Sequence, residues 1–111
     1  MKLSEIAEMI ESFGLPFTYL QWDEDVPDLP YIAYYYPETR TESADDSNFI
    51  QIKQLNIELY TKNKNIELEN IITQILSDND IPFESSETFL NDEMMYEVLF
   101  ECEILIEEEE E

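Results

Sequence analysis

Carboxylates are the residues of this chain whose type and spacing could do chemistry. Asp23, Glu24, Asp25 and Asp28 lie within six positions, and oxygen ligands at this density could bind Ca²⁺. An EF-hand loop also needs a Gly at its sixth position for a sharp turn and a Glu at its twelfth as a bidentate ligand. This segment has neither, so we predict a solvated acidic loop and no metal site.

The chain lacks the residue types that most catalytic sites use. It has no His, which removes imidazole catalysis and the commonest zinc ligand sets, and its single Gly excludes a glycine-rich phosphate loop. The lone Cys102 lies on the apolar side of a strand pattern, so we predict a buried core residue rather than a reactive thiol. We therefore expect no enzyme activity, no cofactor and no metal.

The charge balance is strongly acidic, with 28 Asp and Glu against 5 Lys and Arg and a net charge of −23. Tight nucleic-acid binding needs clustered cations to neutralise phosphates, so this composition disfavours it. No apolar run of about 18 residues could span a bilayer, and no basic and apolar leader opens the chain. We expect a soluble intracellular protein without membrane association, folding as one domain over residues 1–106.

Apolar periodicity predicts two helices. Leu3, Ile6, Ile10 and Phe13 share one stripe of a helix over about 3–13. Gly14 then ends this helix, because Gly readily adopts the left-handed conformation found just past a helix end. A second stripe over 68–76 has the same spacing and predicts the second helix.

A long strand over 48–61 leads into the second helix, and the rest of the chain is organised around it. Its apolar positions alternate, but their parity changes near Lys53 and Gln54. A one-residue slip sends every later side chain to the other face of a sheet. A β-bulge there, which we favour, would keep one buried face, and the alternative is a strand that bends across to a second core.

The closing strand, from about residue 94, alternates cleanly and predicts one dry face. Shorter strands are expected at 17–22, 31–36 and 81–90, and the five glutamates of 107–111 should form a disordered acidic tail. The expected fold is α+β, with two layers: about five mostly antiparallel strands and two helices packed on one face. The dry face of the closing strand comprises Tyr96, Val98, Phe100, Cys102 and Ile104.

Two neighbouring stretches are the candidate contact sites. The strand 31–36 reads YIAYYY, and four tyrosines in six positions suit either a sheet face that meets a partner or simply an aromatic-rich strand. The following segment 37–48 is polar, so we predict a long mobile hairpin loop, a common place for contacts. The candidate assembly contacts are Tyr34, Tyr36, Glu38, Thr39, Arg40, Thr41, Asp45 and Asp46. Arg40 could meet an acidic patch on a neighbouring copy, or it could be an exposed Arg without a fixed partner.

The order of these segments resembles the tail completion, or tail terminator, proteins of long-tailed phages and prophages of Gram-positive bacteria. The resemblance covers nearly the whole chain, and its most specific parts are the tyrosine-rich strand and the ELYT segment that leads into the second helix. The quoted stretches are GLPF at 14–17, LPYIAYYYP at 29–37, NIELYTKNKN at 56–65, ELENIITQIL at 67–76, IPF at 81–83 and MMYEVLFECEI at 94–104.

The resemblance implies a structural virion protein. Members of that family form a ring, usually hexameric, that ends the growing tail tube and joins it to the head-side connector. The implied partners are further copies of the chain, the major tail tube protein and a connector or stopper protein. The implied location is the tail neck of a virion assembled in the bacterial cytoplasm, with DNA passing through the ring. A rival from another class is an acidic DNA-mimic inhibitor of a DNA-binding enzyme, which the net charge favours but the tyrosine-rich strand does not explain.

Overall fold

The computed structural model describes residues 1–45 and 48–107 of the chain. These residues form two helices and six strands, so the predicted α+β class is confirmed, with one strand more than the five expected. In chain order the elements are α1 (Leu3–Glu11), β1 (Phe17–Tyr19), β2 (Tyr31–Tyr35), β3 (Thr39–Asp45), β4 (Asn48–Thr61), α2 (Ile66–Asp78), β5 (Phe83–Leu90) and β6 (Met95–Ile106).

The strands form one sheet in the order β1-β2-β4-β6-β5, and β3 pairs with β4 beyond the end of β2. β1 and β2 are parallel, whereas all the other pairs are antiparallel. β4 and β6 pair over eleven positions, from Gln51 opposite Ile106 to Thr61 opposite Tyr96. These two strands are the centre of the sheet, and β4 is the strand around which we expected the chain to be organised.

Both helices pack on one face of the sheet, and the core lies between the two layers. The predicted dry face of β6 is confirmed at Val98, Phe100, Cys102 and Ile104, each at most 4% exposed, while Tyr96 is half-buried. Burial of this apolar face is the main favourable free-energy contribution to folding. On the same face of the sheet, the core includes Ile32 from β2 and Leu55, Ile57 and Leu59 from β4. The helix layer contributes Ile6, Met9, Ile10 and Phe13 from the α1 region, and Ile72 and Leu76 from α2.

The helix ends follow local sequence. α1 ends at Glu11, two residues before our predicted end, and Gly14 has the left-handed φ of +81° that the prediction required. At the start of α2, the side chain of Asn65 accepts a hydrogen bond from the backbone N–H of Leu68 at 3.1 Å. This bond satisfies one of the N–H groups that a helix leaves without an internal partner at its start.

Replacing Asn65 by Ala should lower the free energy of unfolding by about 1 kcal/mol, because the Leu68 N–H then loses its capping acceptor. Asn63→Ala is the matched control, since Asn63 is exposed in the same turn. Urea denaturation of the two variants measures the difference. Equal losses would mean that the Asn65 side chain contributes nothing as a cap.

Our prediction of a β-bulge in β4 is wrong. β4 pairs with β6 in one unbroken register over 51–61, so Ile52 and Leu55 lie on opposite faces of the sheet. One extra residue is present across from β4, between β2 and β3, where the three residues 36–38 lie opposite only Gln54 and Leu55. Pro37 is at the centre of this irregularity, which suits a residue that cannot donate to a sheet ladder.

The prediction of a loop without regular structure at 37–48 is also wrong for most of its length. Thr39–Asp45 form β3, which pairs with β4 from Thr39 opposite Lys53 to Asp45 opposite Asn48, with one register shift between Ser43 and Asp45. Backbone groups can pair without any apolar side chain, so a polar segment can be ordered along the edge of a longer strand. Residues 46 and 47 lie outside the described residues.

The outer part of the β3–β4 hairpin extends past the rest of the sheet. The pairing of β6 with β4 stops at Gln51. From the Glu42–Ile50 pair outward, the described part of the hairpin therefore has no pairing with β6 along β4. We call residues 42–45 and 48–50 the arm. The molecule is correspondingly long, with principal extents of 52 × 28 × 23 Å.

The chain leaves β6 beside its own N-terminus. The N–H of Glu107, the first residue of the predicted acidic tail, donates to the carbonyl of Met1 at 2.8 Å, and the Met1 amino group donates to the carbonyl of Leu105 at 2.8 Å. Glu107 is therefore held by the fold. The rest of the predicted tail, 108–111, lies outside the described residues.

Candidate assembly surface

An aromatic cluster lies on the helix-bearing face at the β1–β2 edge of the sheet. Parallel pairing places Tyr19 opposite Tyr34, and their ring centroids are 5.3 Å apart in an edge-to-face arrangement. Tyr36 lies 6.0 Å from Tyr19 and 6.3 Å from Tyr34, while Phe17 lies 6.4 Å from Tyr34. Tyr19 is 51% exposed, so this cluster of Phe17, Tyr19, Tyr34 and Tyr36 presents apolar ring surface together with phenol hydroxyls.

Lys53 connects the aromatic cluster to the base of β3. Its ammonium nitrogen lies 5.4 Å from the centre of the Tyr36 ring and donates to the hydroxyl oxygen of Thr39 at 2.8 Å. A cation over an aromatic face is attracted by the electrons of the ring. Burial raises the pKa of Tyr36, and the neighbouring Tyr34 and Tyr19 raise it further, so the ring is neutral when the cation approaches it.

The fold separates the predicted contact residues onto two faces of the sheet. Tyr34, Tyr36 and Thr39 are on the helix-bearing face. The helices leave the other face uncovered, and we call it the open face. Of the remaining candidates, Glu38 and Arg40 border an open-face cleft of about 430 Å³, Thr41 is exposed on β3, Asp45 ends β3, and Asp46 lies outside the described residues.

Arg40 has fixed partners within its own chain. Its guanidinium donates to Glu42 at 3.2 Å and to Glu103 of β6 at 3.1 Å, which bridges β3 to β6 across β4. The Arg40 side chain remains 54% exposed, and surface ion pairs of this kind contribute little to stability. Our alternative of an Arg without a fixed partner is therefore wrong. A guanidinium has five N–H donors, so Arg40 can also bind a further acceptor.

A hydrogen-bonded polar row crosses the middle of the open face. Asn56 is only 6% exposed, and its amide donates to the hydroxyl oxygen of Tyr35 at 3.2 Å. The Gln54 amide donates to the Asn56 side-chain oxygen at 3.0 Å and to Glu101 at 3.4 Å. The sequence signal for this row is the alternation of polar residues Gln54, Asn56 and Glu58 in β4, which our sequence analysis did not use.

Two carboxylates share one phenol on the same face. The Tyr60 hydroxyl oxygen lies 3.0 Å from an oxygen of Glu58 and 2.9 Å from an oxygen of Glu97. A phenol has one proton and can donate to only one of them at a time. Burial raises the pKa of Glu58 and the charge of Glu97 raises it further, although the hydrogen bond from Tyr60 lowers it.

Glu58→Gln should increase the free energy of unfolding near neutral pH by roughly 0.2–1 kcal/mol, because it removes a half-buried charge beside a like charge. The folded state holds the Glu58 proton more tightly than the unfolded state, so the wild-type protein gains stability as pH falls through the folded pKa. The advantage of the variant should therefore shrink at mildly acidic pH. Glu8→Gln, at an exposed position of α1, controls for the change in net charge. The same stability gain at neutral and at mildly acidic pH would contradict a raised pKa of Glu58 in the folded state.

The described residues contain no group of three or more His, Cys, Asp or Glu side chains placed to hold a metal ion. Cys102 is 2% exposed, and burial raises the pKa of its thiol to about 12, so it is a core residue as predicted and not a thiolate nucleophile. Within the described residues, no helix is long and apolar enough to cross a membrane. The chemistry that this surface offers is noncovalent contact through aromatic rings, strand edges and carboxylates.

Comparison with known proteins finds similarity among solved structures. No family model and no curated protein matches the chain. Among solved structures, a chain of the "Virion of native gene transfer agent (GTA) particle" matches with a TM-score of 0.53 at 12% sequence identity. The alignment covers 93% of this chain and 88% of that chain, so the two share a fold over nearly their full lengths.

Proposed function

We propose that this protein is a structural subunit of a phage-like virion, specifically a tail terminator that forms a hexameric ring at the head-proximal end of the tail tube. In this role it stops tube growth and joins the tail to the head-side connector. The observation that carries the proposal is the shared fold with a chain of a gene transfer agent virion over 93% of this protein. The segment-by-segment resemblance to tail terminator proteins supports the same role.

The surfaces of the molecule suit assembly. A ring subunit needs contacts with two neighbours and with a partner on each face of the ring, and this chain has an exposed aromatic cluster, a projecting arm and unpaired strand edges. The open face carries Glu58, Glu97, Glu101 and Glu103. Carboxylates at this density repel DNA, which suits a ring that DNA crosses without sticking.

Negative-stain electron microscopy and light scattering of the purified protein test the proposal. We expect rings of uniform diameter, a mass that is a multiple of the 13.2 kDa chain, and rings at one end of tail tubes when tubes are added. Labelled antibodies should mark the neck of intact particles. A protein that stays monomeric, ignores tube ends and blocks a DNA-binding enzyme in a competition assay would instead be a DNA mimic.

A further inference from the structure

In the part of the chain that the structure describes, the sheet ends in β5 on one side and in β1 and β3 on the other. Among the described residues, β5 pairs only with β6 and β3 pairs only with β4. β1 borders β2 and ends at Tyr19, so it does not extend alongside β3. Most of β5 is exposed, and alternate residues of this eight-residue strand direct their N–H and C=O groups away from β6, where they can pair with another strand.

The strand directions suit pairing between β3 of one copy and β5 of another. β3 and β6 both run antiparallel to β4, and β5 runs antiparallel to β6, so β3 and β5 run in opposite directions. If a second copy is placed beside the first with its helices on the same side, its β5 therefore meets β3 in an antiparallel pair. The two sheets would then form one continuous sheet.

Charge distinguishes this arrangement from a two-fold pairing of β5 with itself. β5 carries Glu84 and Glu87 and no basic residue, so self-pairing brings four carboxylates together in an already acidic protein. β3 carries Arg40, the only Arg of the chain, together with Glu42 and Asp45. Pairing β3 with β5 therefore brings four carboxylates and one cation together, whereas self-pairing of β5 brings four carboxylates and no cation. Arg40 and Glu84 are both on the open face. Arg40 lies opposite Ile52, which lies opposite Leu105 of β6, and Glu84 lies opposite Glu101 of β6; these two β6 residues point to the same face. Opposite charges across neighbouring strands stabilise the pair, whereas like charges oppose it.

We propose that β3 of one copy pairs antiparallel with β5 of the next copy in a head-to-tail contact. This inference rests on the proposed ring and names the strands that build it. A contact between two different edges repeats from copy to copy and closes into a ring when the rotation between copies allows it. The open faces of all copies then form one continuous acidic wall.

Cysteine crosslinking tests the contact. Thr41 of β3 and Ser85 of β5 are both exposed and both on the helix-bearing face. The double variant Thr41→Cys, Ser85→Cys, treated with a short bis-maleimide, should give a ladder of covalent oligomers that ends at the subunit number of the ring. Wild-type protein is the matched control, because its single Cys102 is 2% exposed and should not react.

The single variants distinguish the possible outcomes. Thr41→Cys alone and Ser85→Cys alone should give no ladder, and an equal mixture of the two should stop at dimers. Dimers from Ser85→Cys alone would overturn the proposal in favour of two-fold β5 pairing.

Rings seen by microscopy without a ladder would overturn this contact while leaving the proposed function intact. A protein with neither rings nor a ladder would overturn both. Thermal melts of each variant confirm that the substitutions leave the subunit folded.

Discussion

Phe100→Ala should lower the free energy of unfolding by about 3–5 kcal/mol, the range for large-to-small changes at fully buried aromatic positions. Phe100 is 1% exposed, lies opposite Ile57 in the central strand pair, and contacts Phe83 with ring centroids 6.0 Å apart. Removing the ring loses its transfer free energy and leaves a cavity between the sheet and both helices. Small domains are typically stable by about 5–15 kcal/mol, so this one change removes a large share.

Urea denaturation measures the loss, and Glu101→Ala is the matched control. Glu101 is the next residue in β6, exposed on the open face, where it accepts only a long hydrogen bond of 3.4 Å from Gln54. We expect a change within about 0.5 kcal/mol there, as for most surface substitutions. Similar losses at the two positions would mean that the faces of β6 are wrongly assigned.

Shortening the arm should abolish assembly while leaving the subunit folded. The change replaces residues 42–50 by Asn-Gly, a two-residue turn that suits a β-hairpin and connects the paired residues Thr41 and Gln51. The Arg40–Glu103 bridge and the contact of Lys53 with Thr39 remain, so stability should change by less than about 1 kcal/mol. The proposed contact with the next copy loses more than half of β3, so rings should disappear.

The proposed function predicts that particles assembled with the shortened protein are left as full heads and separate tails, which electron microscopy of lysates distinguishes from joined particles. Asp92→Asn with Glu93→Gln is the control, because it removes charge from an exposed turn at the other end of β6 and leaves the arm intact. Normal particles from the arm variant would refute a role for the arm in joining. Insoluble protein would show that the arm contributes to the subunit fold.

The sequence predicted most of the core because that part of the pattern is local. Alternation along β6 placed Val98, Phe100, Cys102 and Ile104 on one face, and the helical stripes placed Ile6 and Ile72 above them. Side-chain direction in a strand or helix depends on the local backbone period, so apolar spacing alone carries this information. The α+β class followed from the order of these elements.

The sequence pattern was insufficient where pairing between distant segments decides whether a segment forms a strand and which face its side chains occupy. β3 has no apolar pattern, and it is a strand because the first half of β4 offers it a row of backbone partners. The parity change in β4 was visible, but only the continuous register with β6 shows that Ile52 lies on the open face while Leu55, Ile57 and Leu59 lie in the core.

For the candidate assembly surface, too, the sequence predicted some features and the tertiary structure decided others. The sequence alone identified its residue types, the tyrosines of β2 and the single Arg40, and the acidic balance that disfavours nucleic-acid binding. Only the tertiary structure decided that Tyr19 and Lys53 join the tyrosines on one face, while Arg40 bridges to Glu103 on the other. The physical reason is that residue type and period are properties of a short stretch of chain. A shared face between residues 63 positions apart, such as Arg40 and Glu103, depends on the register of β4 with both β3 and β6.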